Sequence, residues 1–298
     1  MIAIVICLSL VTHTKAMMEA NVVKISDLFK VEGYGVVVTG GASGIGLGYA
    51  EALASNGAKV TILDIDRQRL EDETKRLKSA GMDVRGQIAD VTDHKALDDA
   101  IDNAAGIYGR LDVVFANAGI DPGVGFVGDW AGSERPRVLE GALENYTDER
   151  WNRVIEINMN GVFATIRATV RHMKPRKSGH IIITTSLAST RIEPAIGAAY
   201  MAAKAGIRNL MRNAAMELAA YNITVNAIAP GYIVTNIGGG HSQDPVEQKA
   251  VAKTIPMHRV GFPSDHYGVA LFFASPASDY ITGQEIIVDG GLGLGVAD

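Results

Sequence analysis

The 298-residue sequence contains a single cysteine, Cys7, and carries no excess of basic charge. One cysteine cannot form a disulfide within the chain, and it excludes a metal site built from several thiolates. The formal net charge of −5 provides no basic field that would attract nucleic acid. Aromatic residues are few (6%), but 47% of the residues are hydrophobic and 20% are charged. This composition is typical of a folded soluble protein with a substantial core, and it is compatible with the cytoplasm.

Long hydrophobic runs are also lacking. The apolar run from Ile2 to Val11 is too short to span a bilayer, and no later segment predicts a transmembrane helix. Residues 1–16 resemble part of a signal peptide, but no Lys or Arg precedes the run and the cleavage pattern is poor. Because Met17 and Met18 offer another start, we expect an N-terminal extension or a mis-assigned start, ahead of a cleaved signal and of a membrane anchor. A secreted or periplasmic form remains an alternative.

Short apolar runs alternate with helical segments through the rest of the chain. Runs of four to six apolar residues between longer helices predict an α/β fold, a parallel sheet covered on both faces. No linker or repeat interrupts the pattern, so we expect one domain over residues 17–298. The predicted strands cover residues 36–39, 58–63, 84–89, 111–116, 180–185, 223–228 and 285–288, and the predicted helices cover residues 44–56, 67–80, 96–108, 149–173, 198–220 and 265–274.

Two long connections do not follow this alternation, residues 120–146 and residues 231–260. Each follows a strand, and the carboxyl ends of the strands form the binding crevice of such sheets. Trp130, Phe126 and Tyr146 could line a substrate pocket there, although packing of the insertion onto the domain is at least as plausible.

A glycine-rich turn, Thr39-Gly-Gly-Ala-Ser-Gly-Ile-Gly46, lies between the first strand and its helix. Gly40 permits the tight turn, Gly44 lets the backbone approach a pyrophosphate, and Gly46 allows the helix to lie close to the sheet. The amides and the helix dipole favour phosphate charge at this point. A glycine cluster by itself is weak evidence, but this strand–turn–helix setting predicts dinucleotide binding.

Asp64 ends the second strand, where a carboxylate accepts hydrogen bonds from the adenosine ribose and repels a 2′-phosphate. Ser43 in the glycine turn carries no charge, which agrees with that preference. The cofactor is therefore predicted to be NAD(H). Arg67 could accommodate a phosphate, but a solvated position is the more common role of such a residue.

Tyr200 and Lys204 lie four residues apart in an Ala-rich helical segment, so both side chains project from one face, about 6 Å apart along the axis. A phenol with its usual pKa near ~10 is a poor base at neutral pH. A nearby ammonium favours the phenolate and lowers such a pKa toward the range useful for general acid–base catalysis. An isolated pair would usually be a solvated helix face; the glycine turn upstream and Ser186 on the preceding strand favour a catalytic pair.

With these motifs in this order, the chain resembles the short-chain dehydrogenase/reductase family over roughly residues 34–291. The resemblance implies a three-layer Rossmann fold with a doubly wound, seven-stranded parallel sheet and a homotetramer or dimer. It implies that Tyr200, Lys204, Ser186 and Asn158 are catalytic. It also implies cofactor contacts from Tyr200, Lys204 and a larger set made up of Gly40, Ser43, Gly44, Ile45, Gly46, Asp64, Ile65, Asp90, Val91, Asn117, Ala118, Gly119, Pro230, Gly231, Ile233 and Thr235.

Two of these assignments have neighbouring alternatives. Thr185 and Ser189 flank Ser186, but Ser186 stands at the strand end where the family has its hydroxyl. Asn160 lies two positions after Asn158, which fits the family spacing better. By the resemblance, Asn158 would hold a water that connects Lys204 to solvent.

The predicted function is NAD-dependent interconversion of a secondary alcohol and its ketone, with cyclic or aromatic alcohols as candidate substrates. Alternatives are a ketoacyl-type carbonyl reductase, with Arg135-Pro-Arg137 as the one basic cluster for a carrier, and a non-catalytic NAD(H)-sensing or scaffold protein on the same fold. The seven histidines show no metal-ligand spacing, so no metal is expected. His241 in the second long connection is more often a solvated loop residue than a ligand. Arg191 and Glu193 could border the pocket.

Overall fold

The computed structural model describes residues 24–120, 123–128 and 136–295. Its centre is a parallel sheet of seven strands in the order β3-β2-β1-β4-β5-β6-β7. The strands are β1 Gly35–Thr39, β2 Lys59–Asp64, β3 Val84–Ile88, β4 Val113–Ala116, β5 Gly179–Thr184, β6 Ile223–Pro230 and β7 Glu285–Val288. Because the winding reverses between β1 and β4, the crevice for a ligand opens there, at the carboxyl ends of these strands.

Helices connect the strands and cover both faces of the sheet. They are α1 Ile25–Leu28, α2 Gly44–Ala54, α3 Arg67–Ser79, α4 His94–Tyr108, α5 Asp148–Ile155, α6 Gly161–Arg176, α7 Ala198–Leu218, α8 Pro245–Ala252 and α9 Tyr267–Ala274. Side chains alternate between the two faces along each strand, as the pleat of a strand requires. In β1, Val37 packs with α4, α6 and α7, whereas Val36 and Val38 pack with α2, α3 and α9.

The structure confirms the predicted three-layer α/β Rossmann fold and its seven-stranded parallel sheet. The predicted helix 149–173 is interrupted: α5 and α6 are joined by a π-helical turn, Glu156–Asn160. The predicted helix 265–274 begins as a 3₁₀ turn, Pro263–His266, before α9. Helix α8 was missed, because the glycines before it and its weak periodicity concealed the Asp244 cap and Pro245 at its first turn.

The predicted division at residues 16 and 17 lies outside the described residues, and a single domain over 17–298 stays a prediction. Trp130 and Arg135 also lie outside them, as does the side chain of His241. Within the described part of the chain, no helix is long and apolar enough to cross a membrane.

Candidate active site

A cavity of about 630 Å³ opens at the carboxyl ends of the strands, across the point where the winding reverses. Every residue predicted for cofactor binding or catalysis lines it, and Thr235 lies beside the glycine turn, where a Cβ at Gly44 would be 3.3 Å from its side chain. The tertiary structure thus brings together residues that are up to about 200 positions apart in the sequence.

The glycine turn forms a cradle that only glycine permits. Gly40 and Gly44 have φ of +62° and +54°, the left-handed region that other residues avoid. A Cβ at Gly46 would lie 2.2 Å from the Gly40 carbonyl oxygen and 2.4 Å from Asn117 Nδ2. Helix α2 begins at Gly44, and Ser43 at its N-cap gives no side-chain capping bond. Free amides at a helix N-terminus, with space beside them, fit a pyrophosphate.

Asn117 fixes this cradle to the neighbouring strands. Its Nδ2 donates to the carbonyls of Thr39 (3.0 Å) and Gly40 (3.1 Å), and its Oδ1 accepts from the Thr184 hydroxyl at 2.9 Å. The Thr39 hydroxyl in turn accepts from the amides of Asn117 and Ala118. The side chain therefore connects the ends of β1, β4 and β5, which is the stabilising role that the resemblance implies.

The Asp64 carboxylate is held by backbone amides on both sides. Oδ2 accepts from the Ala42 amide in the glycine turn and Oδ1 from the Asp66 amide, each at 3.0 Å. Arg67 does not line the cavity; it is exposed and faces Glu71 at 3.8 Å.

Arg69 is the basic residue that sequence reasoning missed on this side of the cavity. It lines the cavity near Asp64 and pairs with Asp66 at 3.2 Å. It follows Arg67 by two residues, about 200° further around α3, so the available signal was that the two arginines lie on opposite sides of this helix.

Asn158 lies in the π-helical turn and is fully buried. Its carboxamide accepts from the Ile120 amide at 2.9 Å and donates to the Ile120 carbonyl at 3.3 Å. The alternative, Asn160, donates to Glu156 on its own helix and does not line the cavity. The geometry favours Asn158, and π turns inside helices are frequent at functional sites.

Ser186 lies two residues after Thr184, the last residue of β5, and begins the short 3₁₀ turn Leu187–Ser189. Its Oγ accepts from the Ala188 amide at 3.1 Å, which leaves the hydroxyl hydrogen for donation. The two alternatives have other partners: the hydroxyls of Thr185 and Ser189 both donate to Glu285. Thr185 lines the large cavity as well, but of the three hydroxyls only that of Ser186 is not bonded to Glu285.

Tyr200 and Lys204 project from the same face of α7, with Lys204 Nζ 5.4 Å from the centre of the Tyr200 ring. Nζ donates to the Thr184 carbonyl at 2.9 Å. The lysine is buried, and burial lowers its pKa from 10.5 to about 8. At neutral pH it is still largely an ammonium ion, so a positive charge lies beside the phenol.

A second, smaller cavity of about 210 Å³ adjoins the first. Ser186 and Tyr200 line both cavities, so they stand where the two meet. Apolar side chains form much of its wall, together with Arg191 and Glu193, which the sequence had suggested.

Sequence reasoning missed the part of this wall that comes from the second long connection. Tyr232 donates to Glu247 of α8 at 2.6 Å, and both residues line the small cavity. Burial, with the carboxylate as hydrogen-bond partner, raises the pKa of Tyr232. The Asp-Pro pair that starts α8 was the available signal for the helix that carries Glu247.

The aromatic residues of the first long connection pack onto the protein in its described part. Tyr146 lies under the Arg150 guanidinium and edge-on to Trp151. Phe126 lies beside Arg137, and neither Phe126 nor Tyr146 lines either cavity. The described residues contain no cluster of side chains that could hold a metal ion.

Comparisons with known proteins agree with this geometry. The family model described as Enoyl-(Acyl carrier protein) reductase matches residues 40–293. The chain is 33% identical over 267 residues to 5-keto-D-gluconate 5-reductase of Escherichia coli (strain K12), covering 90% of this chain and 98% of the relative. It is 36% identical over 255 residues to cis-4-hydroxycyclohexanecarboxylate dehydrogenase of Sinomonas cyclohexanicum, covering 86% and 94%.

Solved structures give the same result. A gluconate 5-dehydrogenase from Burkholderia cenocepacia J2315, in complex with NADP and tartrate, superimposes with a TM-score of 0.77 at 32% identity. The match covers 89% of this chain and 97% of that one.

Proposed function

The chain belongs to the short-chain dehydrogenase/reductase family of oxidoreductases, and on that premise we propose that it is an NAD-dependent enzyme that interconverts a secondary alcohol and its ketone. The observation that carries the proposal is the position of Ser186 and Tyr200. Both lie at the junction of a cavity large enough for a dinucleotide and a smaller one suited to a compact substrate. A substrate oxygen at that junction is within reach of two hydroxyls.

The residues of the large cavity fit a nicotinamide cofactor. The cradle of Gly40, Gly44 and Gly46 would hold the pyrophosphate, Asp64 the adenosine ribose, and Lys204 the nicotinamide ribose. When bound, the nicotinamide supplies or accepts the hydride, so the protein must position the substrate and manage its proton and negative charge.

Tyr200 is the proposed acid and base. In alcohol oxidation its phenolate oxygen accepts the hydroxyl proton, and in ketone reduction the phenol returns it. The Lys204 ammonium favours the phenolate, because an opposite charge nearby stabilises an anion. Ser186 donates a hydrogen bond to the substrate oxygen and stabilises the charge that develops there. Lys204 and Asn158 both line the large cavity. Asn158 would hold a water on the proposed route by which protons pass between Lys204 and solvent.

NAD(H) is the proposed cofactor because the fixed Asp64 carboxylate disfavours a 2′-phosphate. Two observations support the competing choice of NADP(H): Arg69 lines the cavity, and the relative from Burkholderia cenocepacia was crystallised with NADP. Arg69 is paired with Asp66, which reduces the charge that it offers to a phosphate.

A cyclic secondary alcohol is the proposed substrate class. The small cavity has room for a ring of about ten heavy atoms, and apolar side chains such as Leu187, Ile196 and Leu292 line it. The relative named for cis-4-hydroxycyclohexanecarboxylate supports a ring, and the relative named for 5-keto-D-gluconate supports a polyol. Glu193 and Glu247 could bind hydroxyl groups of either substrate.

A ketoacyl-type carbonyl reductase is the second candidate; the description of the matching family model supports an acyl-carrier substrate, although an enoyl reductase reduces a C=C bond rather than a ketone. A carrier protein would need a basic docking surface; of the basic cluster in the first connection, Arg137 already lies against Phe126. A non-catalytic NAD(H)-sensing protein is a third possibility, which the intact set of Ser186, Tyr200 and Lys204 disfavours.

We also propose a homo-oligomer, a tetramer or dimer, in the cytoplasm. Exposed large apolar side chains on α6, α7 and β7 support the assembly; they are Phe163, Met216 and Ile287. Sedimentation velocity tests it, and a monomer at micromolar concentration would contradict it.

The test of function is a spectrophotometric assay of NADH and NADPH formation and consumption. The wild-type protein and Tyr200→Phe are each assayed with cyclic secondary alcohols, polyols, the corresponding ketones and short β-ketoacyl thioesters. We expect turnover with at least one cyclic alcohol and NAD that the variant lacks. Turnover only of the thioesters would favour the second candidate, and NADH binding without any turnover would favour the third.

A further inference from the structure

Glu285, the first residue of β7, has a buried carboxylate with three partners. The side chain is 6% exposed. Its Oε1 accepts from the hydroxyls of Thr185 at 2.6 Å and Ser189 at 3.1 Å, and its Oε2 accepts from Arg208 Nε at 2.7 Å. Both oxygens are therefore used inside the protein, and neither faces the cavities.

The three partners belong to the two segments that carry the proposed chemistry. Thr185 immediately precedes Ser186, and Ser189 ends the short turn that Ser186 begins. Arg208 is on α7, one turn beyond Lys204 and two turns beyond Tyr200. One carboxylate thus joins the serine segment to the helix that carries the tyrosine and the lysine.

Stability alone is a poor reason for such a group. A buried ion pair costs desolvation that its attraction barely offsets, and apolar side chains of similar volume are often as stable. A carboxylate that accepts hydrogen bonds on both sides of one residue does, however, fix that residue's backbone. The bonds of Ser186 itself are local: its Oγ accepts from the Ala188 amide, and its carbonyl accepts from the Ser189 amide.

We propose that Glu285 is a positioning residue, which holds the Ser186 hydroxyl at the distance from Tyr200 that the reaction requires. This inference rests on the proposed function. Glu285 touches no substrate or cofactor; it acts through Thr185 and Ser189 on one side and through Arg208 on the other. Ser186 and Tyr200 must meet the same substrate oxygen, so an error in their separation affects the transition state more than binding.

The test compares Glu285→Ala, Glu285→Gln and Ser189→Ala with the wild type. Asp112→Asn is the matched control, because Asp112 is also 6% exposed and pairs with two arginines, Arg110 and Arg176. It lies just before β4, at the amino end of the strand, whereas the site lies at the carboxyl ends of the strands. For each protein, NADH titration gives the affinity and the number of intact sites, and steady-state kinetics give kcat per site and KM with the best substrate of the panel.

In Glu285→Ala we expect kcat per intact site to fall about 10- to 100-fold, with KM and NADH affinity within about twofold of the wild type. Glu285→Gln keeps an oxygen that can accept from Thr185 and Ser189, so it should recover most of that loss. The pH at which kcat is half-maximal should not move, because the Tyr200–Lys204 pair is unchanged. Asp112→Asn should lower thermal stability but leave kcat per intact site within about twofold.

A double-mutant cycle tests whether Glu285 acts through Ser189. Ser189→Ala should lower kcat about threefold in the wild type and cause no further loss in Glu285→Ala. If Glu285→Ala does not fold, an unchanged kcat in Ser189→Ala would overturn the inference, and a fall in kcat of Ser189→Ala with unchanged NADH affinity would support it.

Two outcomes separate this inference from the proposed function. A wild type without turnover of any substrate contradicts the proposed function, and the inference falls with it. An active wild type whose Glu285→Ala variant keeps its kcat, or loses NADH affinity as strongly as kcat, contradicts only the positioning role.

Discussion

The Lys204 ammonium donates a 2.9 Å hydrogen bond to the carbonyl of Thr184, the last residue of β5. The same threonine donates through its hydroxyl to Asn117, beside the glycine turn. The charge that the proposed chemistry needs is therefore anchored to the strand that leads to Ser186. Burial opposes that charge, since it lowers the pKa of Lys204 to about 8.

Lys204→Met should be no less stable than the wild type at neutral pH. A lysine whose pKa falls on folding destabilises the folded state below its folded pKa, and that penalty disappears as the pH rises from about 8 to 10.5. The shift from 10.5 to about 8 corresponds to at most roughly 3 kcal/mol, against about 1–3 kcal/mol for the lost hydrogen bond to Thr184. Urea unfolding of both proteins at pH ~7 measures the difference between these two free energies.

The pH dependence of the free energy of unfolding tests the direction of this prediction. Relative to Lys204→Met, the wild type should gain stability as the pH rises above about 8. Lys174→Met is the control, because Lys174 is only partly buried and its hydrogen bond with Glu217 raises its pKa. If the free energy of unfolding changes with pH by the same amount in the wild type and in Lys204→Met, the prediction is wrong.

Tyr200→Phe should lower kcat about 10²- to 10⁴-fold, the usual contribution of a general acid or base. Its affinity for NADH should stay within about threefold, because the ring and Lys204 remain in place. Stopped-flow turnover and fluorescence titration of NADH measure the two quantities. Tyr221→Phe, at the far end of α7 beside Lys174, serves as the control and should be fully active. Substantial activity in Tyr200→Phe would falsify the assignment.

Gly46→Ala should abolish tight NADH binding and lower the free energy of unfolding by about 1–3 kcal/mol. The added Cβ would lie 2.2 Å from the Gly40 carbonyl oxygen, so the cradle must open or α2 must shift. The control is Gly106→Ala in α4, where a Cβ meets no atom within 4 Å. Because alanine is the better helix former, that variant should gain roughly 0.5–1 kcal/mol and bind NADH normally. Equal effects of the two substitutions on NADH binding and on the free energy of unfolding would contradict the role of the narrow space at Gly46.

Asp64→Asn should shift cofactor preference toward NADP(H), with the ratio of kcat/KM for NAD over NADP falling about 10- to 100-fold. The amide keeps an oxygen for the Ala42 or Asp66 amide but loses the charge that repels a phosphate. Steady-state kinetics with both cofactors measure the ratio.

Arg69 and Arg67 provide a matched pair in the Asp64→Asn background. Arg69→Gln should remove the gained use of NADP, because Arg69 lines the cavity, whereas Arg67→Gln should not. If instead Arg67→Gln removes the use of NADP and Arg69→Gln does not, Arg67 contacts the phosphate and the cavity has another shape around the cofactor.

Local motifs explain why so much of the fold and the site was predictable. The glycine turn, Asp64 and the Tyr200–Lys204 spacing each depend on residues close together in the chain, and each lies where its element begins or ends. The strands were recognisable because buried parallel strands are continuous apolar runs. Helix α8 lacked such a signal: it is short, and its apolar residues Val246 and Val251 do not define one face.

The other features that sequence reasoning missed depend on distant partners. The π turn at Asn158 is helical in its local pattern, and only the two bonds to Ile120 identify the side chain's place. Arg69 and Arg67 are equivalent on a charged helix until α3 is packed against the sheet. Glu285 has the appearance of an ordinary edge-strand residue until Thr185 and Arg208 approach it.

The sequence by itself determined the sheet, the cofactor cradle and the identity of the proposed acid and base, because period, glycine placement and i,i+4 spacing are local properties of the chain. Tertiary structure decided how Lys204 is charged and anchored, which arginine lines the large cavity, and how Ser186 is held relative to Tyr200. These depend on burial and on contacts between residues tens to a hundred positions apart, as in the pair of Glu285 and Thr185. No local pattern encodes such contacts, because the free energy of each depends on what the fold brings next to it.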